Sequence, residues 1–469
     1  MANSLFRLNL NSVTTGNVNQ MSTMKECFCN PLGISSRNEL PIQARAVGGG
    51  GGIRRTTAFE QWLLEKMLER LGDPPVSISA WDGWTVTHEN KNPASGESEQ
   101  AFKLMLHDAS ALWRLVFDPE YQFGELYSSG ELAVEGDLTS LIESVYLAQR
   151  RRQSHFSRLL RHLHPPRSNL YRQAKANIHH HYDIGEAFYR LWLDPQLIYT
   201  CAYFPTPIVS LEEAQLAKLD LICRKLRLKP CERVVEVGCG WGALALYMAR
   251  EYSVSVHAFN ISHQQIEHAR QRARNEGLQN RVSFAEADYR AIRGEYDVFV
   301  SVGMLEHVGR AHYSELGQVI DRCLAPNGRG FIHSIGTDVV TPLNPWIERR
   351  IFPGAYPPTL REAMKVFETA NLSVLDVENL RLHYAKTLEH WLTRFETAAE
   401  AIEALFDPSF VRAWRVYLAG SLAAFRSGDL QLFQILFQRN GNNDLPWTRA
   451  DLYHPHYEYE STPWNASTS

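Results

Sequence analysis

Long hydrophobic runs are absent from this chain. No segment reaches the roughly eighteen consecutive apolar residues of a membrane-spanning helix, and the first thirty residues hold no compact apolar segment. An excess of basic charge is also absent, because 48 Lys and Arg stand against 52 Asp and Glu, with a net charge of -4. These absences argue against a membrane span, a secretory signal and a general nucleic-acid-binding protein. We expect a cytoplasmic protein with no nucleic-acid partner.

Paired cysteine motifs are missing as well. The seven cysteines form an odd set, and no two of them have the C-x-x-C spacing of a zinc site or a redox pair. This pattern fits reduced thiols and no structural zinc. The adjacent histidines at 179–181 cannot all converge on one ion, so we expect no metal site.

Composition divides the 469 residues into five parts. Residues 1–53 are rich in Asn, Ser and Thr, end in a run of glycines, and are predicted to be a disordered tail. A small α+β domain is predicted at 54–150, a basic linker at 151–176, a larger domain at 177–440 and an extension at 441–469.

The small domain begins with a helical pattern near Phe59. Alternating apolar residues at 102–107 predict a strand, and the apolar run at 112–117 predicts another. The glycines between 124 and 136 indicate a turn-rich stretch, and a helix is expected at about 138–150.

The linker region is rich in cations. No acidic residue occurs between Glu143 and Asp183, whereas eight basic residues do: Arg150, Arg151, Arg152, Arg158, Arg161, Arg167, Arg172 and Lys175. Two interpretations are open. The cations could meet anionic phospholipid headgroups at the inner face of the membrane, each contributing about 1 kcal/mol, or they could form a solvated face that joins two domains.

Strand and helix patterns alternate in the larger domain. Strands are predicted at 234–237, 254–259, 282–285, 296–300 and 330–335, with helices at about 243–252, 262–276 and 313–324. This alternation predicts an α/β fold with a doubly wound, mostly parallel sheet. In such a sheet a ligand binds beyond the carboxyl ends of the strands.

A glycine-rich turn, GCGWG, follows the first of these strands and contains Gly238, Gly240 and Gly242. Glycines allow backbone amides to approach a ligand closely. The spacing G-x-G-x-G departs from the dinucleotide fingerprint, and no lysine follows as in a P-loop.

Polar residues at the ends of the next two strands indicate which ligand the turn would hold. Asn260 and Gln265 offer amides to a ribose, and Asp288 with Tyr289 offers a carboxylate and a ring to an adenine. Asp288 could instead cap a helix. A sulfonium cofactor is cationic and suits amides, aromatics and a carboxylate better than lysines, which favours S-adenosylmethionine over NAD.

Several further motifs occur in a characteristic order. They include NIHHHYDIG at 177–185, YTCAY at 199–203, SVGMLEHVG at 301–309, HSIG at 333–336 and HYAKTLEHW at 383–391. With the glycine turn, they make residues of roughly 170–440 resemble the cyclopropane fatty acid synthase family, which includes the mycolic acid cyclopropane synthases. The resemblance implies a class I methyltransferase that uses S-adenosylmethionine to methylenate cis double bonds of phospholipid acyl chains.

The same resemblance implies roles for individual residues. By it, the cofactor would contact Tyr199, Thr200, Gly238, Gln265, Asp288 and Tyr289, and a bicarbonate ion would be held by Cys201, Glu306, His333, Ile335 and Tyr384. Three residues of the ion site also have a structural interpretation. Glu306 could cap a helix, His333 could be a core histidine, and Cys201 could be a small buried hydrophobe.

Other features carry less chemistry. His181, Tyr182 and Asp183 are interpreted as part of a lid over the pocket. Trp346, Phe352 and Tyr356, among several prolines, indicate either a loop that receives the acyl chain or ordinary packing. A homodimer is expected only by analogy with the family.

Three other functions compete with a cyclopropane synthase. A sister enzyme would methylate the same alkene and leave a methylene or methyl branch. An amine N-methyltransferase would need no trapped anion. A noncatalytic lipid-binding protein would have lost the glycine turn or Glu306, and neither is lost.

Overall fold

The computed structural model describes residues 54–71, 76–87, 102–152, 184–444 and 448–453. The predicted tail at 1–53, the linker beyond residue 152, the lid residues His181, Tyr182 and Asp183, and most of the C-terminal extension therefore lie outside the described residues. Among the described helices, none combines the length and apolarity needed to cross a bilayer.

The small domain contains a four-stranded sheet with the strand order β2-β1-β3-β4. Its elements are α1 (Ala58–Leu71), β1 (Val76–Ser79), β2 (Thr85–Thr87), β3 (Phe102–Leu106), α2 (Ala109–Phe117), α3 (Pro119–Ser129), β4 (Leu132–Glu135) and α4 (Leu138–Arg152). The strands β1 and β3 are parallel, and the other two pairings are antiparallel.

Two predictions for this domain were wrong. The apolar run at 112–117 is a helix, because Asp108 caps α2 by accepting a hydrogen bond from Ala111 N at 2.9 Å, and Leu112 and Leu115 share its buried face. Gly124 lies inside α3 rather than in a turn. A Cβ there would come within 2.4 Å of the Trp346 indole, so the glycine permits close packing.

The larger domain contains a seven-stranded sheet in the order β10-β11-β9-β8-β5-β6-β7. Its elements are α5 (Glu186–Arg190), α6 (Leu211–Lys225), β5 (Arg233–Val237), α7 (Ala243–Glu251), β6 (Ser255–Asn260), α8 (His263–Asn275), β7 (Val282–Glu286), β8 (Tyr296–Val302), α9 (Leu305–Val308), α10 (Tyr313–Cys323), β9 (Leu324–Gly336), α11 (Pro345–Arg350), α12 (Leu360–Ala363), α13 (Lys365–Glu368), β10 (Leu372–Asn379), α14 (Arg381–Thr397), α15 (Ala399–Leu405), α16 (Pro408–Ser427), β11 (Gln431–Arg439) and α17 (Ala450–Tyr453).

The parallel, doubly wound arrangement predicted from the sequence is confirmed. Strands β9, β8, β5, β6 and β7 pair in parallel, and helices separate them along the chain. Strand β11 pairs antiparallel with both β9 and β10, and neither β10 nor β11 was predicted. The domain boundaries themselves stay predictions.

A layer of aromatic side chains covers one end of this sheet. Trp192, Trp391 and Trp414 are fully buried and meet edge to face, with the Trp192 ring 5.7 Å from the Trp391 ring. Helices α14 and α16 supply much of this layer, and α16 also packs against α3 and α4 of the small domain. The layer closes an apolar space above the strand ends.

Arg150 fixes the end of α4 to the larger domain. Its guanidinium donates hydrogen bonds to the carbonyl oxygens of Ser427 at 2.9 Å and Gly428 at 2.7 Å, and it pairs with Asp338 and Asp429. For Arg150, the structure therefore supports the interpretation of the linker cations as a junction between domains. The side chains of the other seven basic residues lie outside the described part of the chain.

Candidate active site

The glycine turn connects β5 to α7 at the carboxyl edge of the sheet. Gly238, Gly240 and Gly242 have φ values of +81°, +51° and +85°, in the left-handed region that favours glycine. The Gly238 amide is held by the carbonyl oxygen of Phe259 at 2.9 Å. A Cβ on Gly242 would lie 2.8 Å from Ala269, whereas one on Gly240 would meet no atom within 4 Å. The turn therefore leaves open space beside Gly240.

One cavity begins at this turn and continues beneath the aromatic layer. All the residues predicted for the cofactor except Gly242, and all five predicted for the ion, line it: Tyr199, Thr200, Gly238, Gly240, Asn260, Gln265, Asp288, Tyr289, Cys201, Glu306, His333, Ile335 and Tyr384. Gly242 instead is the N-cap residue of α7. Residues separated by nearly two hundred positions in the chain thus meet in one space.

Two amides stand together at the end of β6. The Asn260 side-chain nitrogen donates to Gln265 Oε1 at 2.7 Å, and Asn260 Oδ1 accepts from Ile261 N at 2.8 Å. Gln265 is buried in the first turn of α8, whose N-cap is Ser262. The two side chains form one polar wall of the cavity. Both amides that the sequence offers to a ribose, Asn260 and Gln265, therefore lie at the cavity.

Asp288 and Tyr289 close the same wall after β7. Asp288 Oδ1 accepts from Arg290 N at 2.9 Å, so the carboxylate caps a short 3-10 helix while it also lines the cavity. The Arg290 guanidinium lies 4.5 Å from the Tyr289 ring centroid. The two interpretations of Asp288 are thus compatible.

Lys218 is a cavity residue that sequence reasoning missed. This side chain on α6 is 2% exposed, and its Nζ donates to Thr200 Oγ1 at 2.9 Å. Burial lowers the pKa of Lys218 to about 8, although Cys201, Asp194 and Glu236 oppose the shift. The helical periodicity of α6 could have revealed it, since Lys218 lies four residues before Ile222 on the same buried face of the helix.

Glu306 occupies α9, directly after β8. Its Oε1 accepts a hydrogen bond from Ile335 N at 2.5 Å, whereas its Oε2 is buried and has no hydrogen-bond partner among the described residues. Burial raises the pKa of Glu306 to about 7, although the backbone amides of Glu306 and Ile335 and the Ser334 hydroxyl oppose the shift. The carboxyl group is therefore poised to change protonation near neutral pH.

His333 lies on β9 and is 1% exposed. Its Nδ1 lies 3.2 Å from the side-chain nitrogen of Gln434, while its Nε2 has no hydrogen-bond partner within the described chain. Burial holds the pKa of His333 well below its usual range, and Lys218 and Lys225 add to this effect. The ring is accordingly neutral at physiological pH.

Cys201 and Tyr384 complete the predicted ion site. The Cys201 thiol donates to the Ala202 carbonyl oxygen at 3.1 Å, and burial raises its pKa, so it stays protonated. Tyr384, on α14, packs with its ring 4.5 Å from that of Phe425. These contacts suit a shaped, apolar enclosure rather than a thiolate nucleophile.

The predicted acyl-chain loop needs correction. Phe352 lines the cavity, as do several apolar residues around it. Trp346 instead faces the small domain, where its indole donates to Glu125 at 2.9 Å. The Tyr356 hydroxyl donates to Glu362 at 3.0 Å and likewise takes no part in the lining. The interpretation as ordinary packing was right for these two residues.

Within the described ranges, no three or more His, Cys, Asp or Glu side chains are grouped so that they could hold a metal ion.

Comparison with known proteins identifies the family. The model of mycolic acid cyclopropane synthetase matches residues 170–435, and a domain of unknown function (DUF7884) matches residues 63–156. A probable fatty acid methyltransferase of Pseudomonas putida is 36% identical over 390 residues, covering 81% of this chain and 96% of that protein. The cyclopropane-fatty-acyl-phospholipid synthase of Escherichia coli (strain K12) is 41% identical over 267 residues, covering 56% of this chain and 68% of its own.

Solved structures lead to the same family. The crystal structure of mycolic acid cyclopropane synthase CmaA1, complexed with SAH and CTAB, superimposes with a TM-score of 0.54 and 30% identity, covering 56% of this chain and 98% of that one. The chain therefore belongs to the mycolic acid cyclopropane synthetase family and is an S-adenosylmethionine-dependent methyltransferase of the class I fold.

Proposed function

We propose that this enzyme transfers a methylene group from S-adenosylmethionine to the cis double bond of unsaturated fatty acyl chains in phospholipids, forming a cyclopropane ring. The observation that carries the proposal is a pair of buried, unpartnered polar atoms in an otherwise apolar part of the cavity. Glu306 Oε2 and His333 Nε2 lack hydrogen-bond partners among the described residues. Buried polar atoms normally have a hydrogen-bond partner, so these two fit a site that binds a small polar molecule or ion beside an apolar substrate.

The wall near the glycine turn suits the cofactor. S-adenosylmethionine supplies an electrophilic methyl group when bound. The open space beside Gly240 lets the cofactor approach the backbone of the glycine turn closely. The paired amides of Asn260 and Gln265 suit its ribose. Asp288 and Tyr289 offer a carboxylate and a ring to an adenine. Tyr199 and Thr200 complete this set.

The aromatic enclosure suits the substrate. Transfer of a methyl group to one alkene carbon forms a new C–C bond and leaves a positive charge on the other carbon. Water would capture that charge, so the cavity must exclude it. Phe352, Tyr384 and Phe425 line the cavity. Aromatic rings can stabilise a cation through their faces without reacting with it.

Ring closure requires a base that removes a proton from the delivered methyl group, so that its electron pair closes the three-membered ring. A bicarbonate ion would supply a small anionic base there. The His333 ring and the Tyr384 hydroxyl would donate hydrogen bonds to it, as would the backbone near Cys201. Ile335 would act through Glu306, because its backbone N–H already donates to Glu306 Oε1. Glu306 would accept its hydroxyl proton and raise its basicity.

The test uses the purified full chain, labelled S-adenosylmethionine and vesicles of cis-monounsaturated phospholipid. We expect label in the acyl chain and the proton NMR signals of a cyclopropane ring. Turnover should fall in carbonate-depleted buffer and recover on addition of bicarbonate.

Glu306→Gln should bind S-adenosylhomocysteine almost normally and lose about a hundredfold or more in turnover. Glu267→Gln, an exposed change on α8 outside the cavity, serves as its control. Unchanged turnover in Glu306→Gln would show that the ion site is misassigned.

A methyltransferase that leaves a methylene- or methyl-branched acyl chain is the second candidate. The relative matched over most of both chains is a probable fatty acid methyltransferase, a name that fits either product. Both outcomes start from the same carbocation. Direct loss of a methyl proton closes the ring, a 1,2-hydride shift followed by loss of a methyl proton leaves an exocyclic methylene, and loss of a chain proton leaves a methyl-branched alkene. Proton NMR of the product separates a ring from an exocyclic methylene or a branch. The amine N-methyltransferase is disfavoured by the buried Glu306 and His333.

We further propose a cytoplasmic enzyme that contacts the inner face of the membrane peripherally and forms a homodimer. The proposed substrate supports the first part, because its acyl chains reside in a bilayer. Vesicle sedimentation with and without anionic lipid tests membrane contact, and light scattering of the purified chain tests the dimer.

A further inference from the structure

Three buried side chains form a hydrogen-bonded row that ends at the cavity. Lys225 on α6 donates from Nζ to Gln434 Oε1 at 2.7 Å and also pairs with Glu378. Gln434 on β11 places its side-chain nitrogen 3.2 Å from Nδ1 of His333. The three side chains are 1–2% exposed. Only His333 of the three lines the cavity.

The direction of each hydrogen bond follows from the first one. An ammonium group has three donors and no acceptor, so the Gln434 atom that faces Lys225 must be the carbonyl oxygen. This fixes the orientation of an amide whose oxygen and nitrogen are otherwise hard to distinguish. The NH₂ group then faces His333 and can only donate. His333 Nδ1 must therefore accept, and it carries no proton.

A neutral imidazole without a proton on Nδ1 carries its proton on Nε2. We propose that Lys225 and Gln434 are positioning residues that hold His333 as the Nε2–H tautomer, so that the ring presents a donor, and never a lone pair, to the anion site. The tautomer of His333 is inferred from the contacts of Lys225 and Gln434 alone, whereas the identity of the anion rests on the proposed function.

The surroundings of the ring support the neutral state that this tautomer requires. Gln434 faces Nδ1, and the ammonium groups of Lys218 and Lys225 are the charged groups that act on the ring. Both cations disfavour an imidazolium, as does complete burial. An Nδ1–H tautomer would point a lone pair at an incoming anion and leave two N–H donors facing each other at Gln434.

Nitrogen-15 NMR of the full chain with labelled histidine measures the tautomer without substrate. The signal of His333 is assigned by its loss in His333→Gln. We expect an Nε2–H imidazole that does not change between about pH 6 and 8, where an ordinary histidine titrates. An Nδ1–H form or an imidazolium in the unmodified protein would overturn the proposal.

Two substitutions sharpen the measurement. Gln434→Leu removes the donor and should populate both tautomers, whereas Gln434→Glu introduces an acceptor and should move the proton to Nδ1. Gln438→Leu is the matched control, because Gln438 is a buried glutamine on the same strand that donates to the Asn442 carbonyl oxygen at 2.5 Å. It should leave the His333 signal unchanged. If neither Gln434 variant alters that signal, Lys225 and Gln434 do not position His333 and the proposal is wrong. If the variants do not fold, the spectrum of the unmodified protein decides.

Turnover separates this inference from the proposed function. Gln434→Glu should lower kcat by about tenfold or more while S-adenosylhomocysteine affinity stays within about twofold. If the NMR signals move as expected and kcat does not change, Lys225 and Gln434 do set the tautomer of His333, but the role proposed for His333 in catalysis is wrong.

Discussion

Buried ionisable side chains set the electrostatics of the cavity. Burial raises the pKa of Glu236 and Glu306 and lowers that of Lys218, so each of these pKa values moves towards neutrality. Perturbed groups gathered around one cavity are typical of an active site. Glu306 stands at the end proposed for the anion and Lys218 at the end proposed for the cofactor.

The pKa of about 7 at Glu306 predicts how activity depends on pH. The proposed role needs a carboxylate, so kcat at constant bicarbonate and saturating cofactor should rise as pH passes through about 7 and then level off. Stability should show the opposite sign. The folded pKa lies above its ordinary value of 4.5, so the contribution of Glu306 to the free energy of unfolding should fall as pH rises from 4.5 to about 7. A kcat that falls over this range would contradict the assignment.

Lys218→Met should weaken binding of S-adenosylhomocysteine. Because the ammonium donates to Thr200 Oγ1, the hydroxyl hydrogen of Thr200 stays available to donate, and we expect it to meet the carboxylate of the cofactor in the proposed complex. Loss of this arrangement should cost about tenfold or more in affinity, as for a hydrogen bond to a charged group.

Calorimetry with S-adenosylhomocysteine and with its decarboxylated analogue measures the effect of Lys218→Met. The analogue should bind the variant and the unmodified chain alike, and equal losses for both ligands would contradict the role. Lys229→Met, at a side chain that is 66% exposed, is the control.

Among the elements, those with strong apolar runs were predictable. Strands β5 and β8 and the second half of β9 are buried along almost their whole length and are largely apolar, whereas β6 and β7 are only partly buried but keep apolar residues at their inward positions. Strand β11 was missed because glutamines interrupt it at 431, 434 and 438. The same glutamines explain why part of the site was missed, since Gln434 contacts His333 but belongs to no recognised motif. The apolar run in α2 was assigned to a strand because the cap at Asp108 was overlooked.

Gly124 lets α3 approach α11. In Gly124→Ala the new methyl group would lie 2.4 Å from the Trp346 indole, so the helices must separate. We expect a loss of about 1–3 kcal/mol in the free energy of unfolding, as for an overpacked interface. Gly420→Ala is the control, because the added Cβ meets no atom within 4 Å and α16 gains a better helix former. Denaturant titration measures both, and equal effects would contradict the packing argument.

At the scale of the whole molecule, the small domain is held against the larger domain by polar anchors. Glu125 of α3 accepts from Trp346 and pairs with Arg350 at 2.7 Å, Arg412 donates to the Ser128 carbonyl oxygen at 2.8 Å, and Arg150 reaches the loop after α16. Since α16 and α11 also border the cavity, the docking of the small domain supports the enclosure of the proposed substrate.

Arg150→Ala tests this junction. Removing hydrogen bonds to the Ser427 and Gly428 carbonyl oxygens should cost about 1–3 kcal/mol of the free energy of unfolding. Binding to anionic vesicles should not change, because the guanidinium is engaged within the protein. Arg361→Ala, an exposed change on α12, provides the comparison for both measurements. If Arg150→Ala lost vesicle binding while its free energy of unfolding stayed the same, Arg150 would contact lipid and would not join the two domains.

The strand order carries a consequence for biosynthesis. Among the described residues, β11 is the last strand in sequence, yet it is inserted between β9 and β10 and brings Gln434 to His333. A nascent polypeptide that already contains the glycine turn, Glu306 and His333 still lacks the strand that orients the imidazole. The hydrogen bond that orients His333 can therefore form only after β11 has left the ribosome, so we expect the proposed site to be completed late in synthesis.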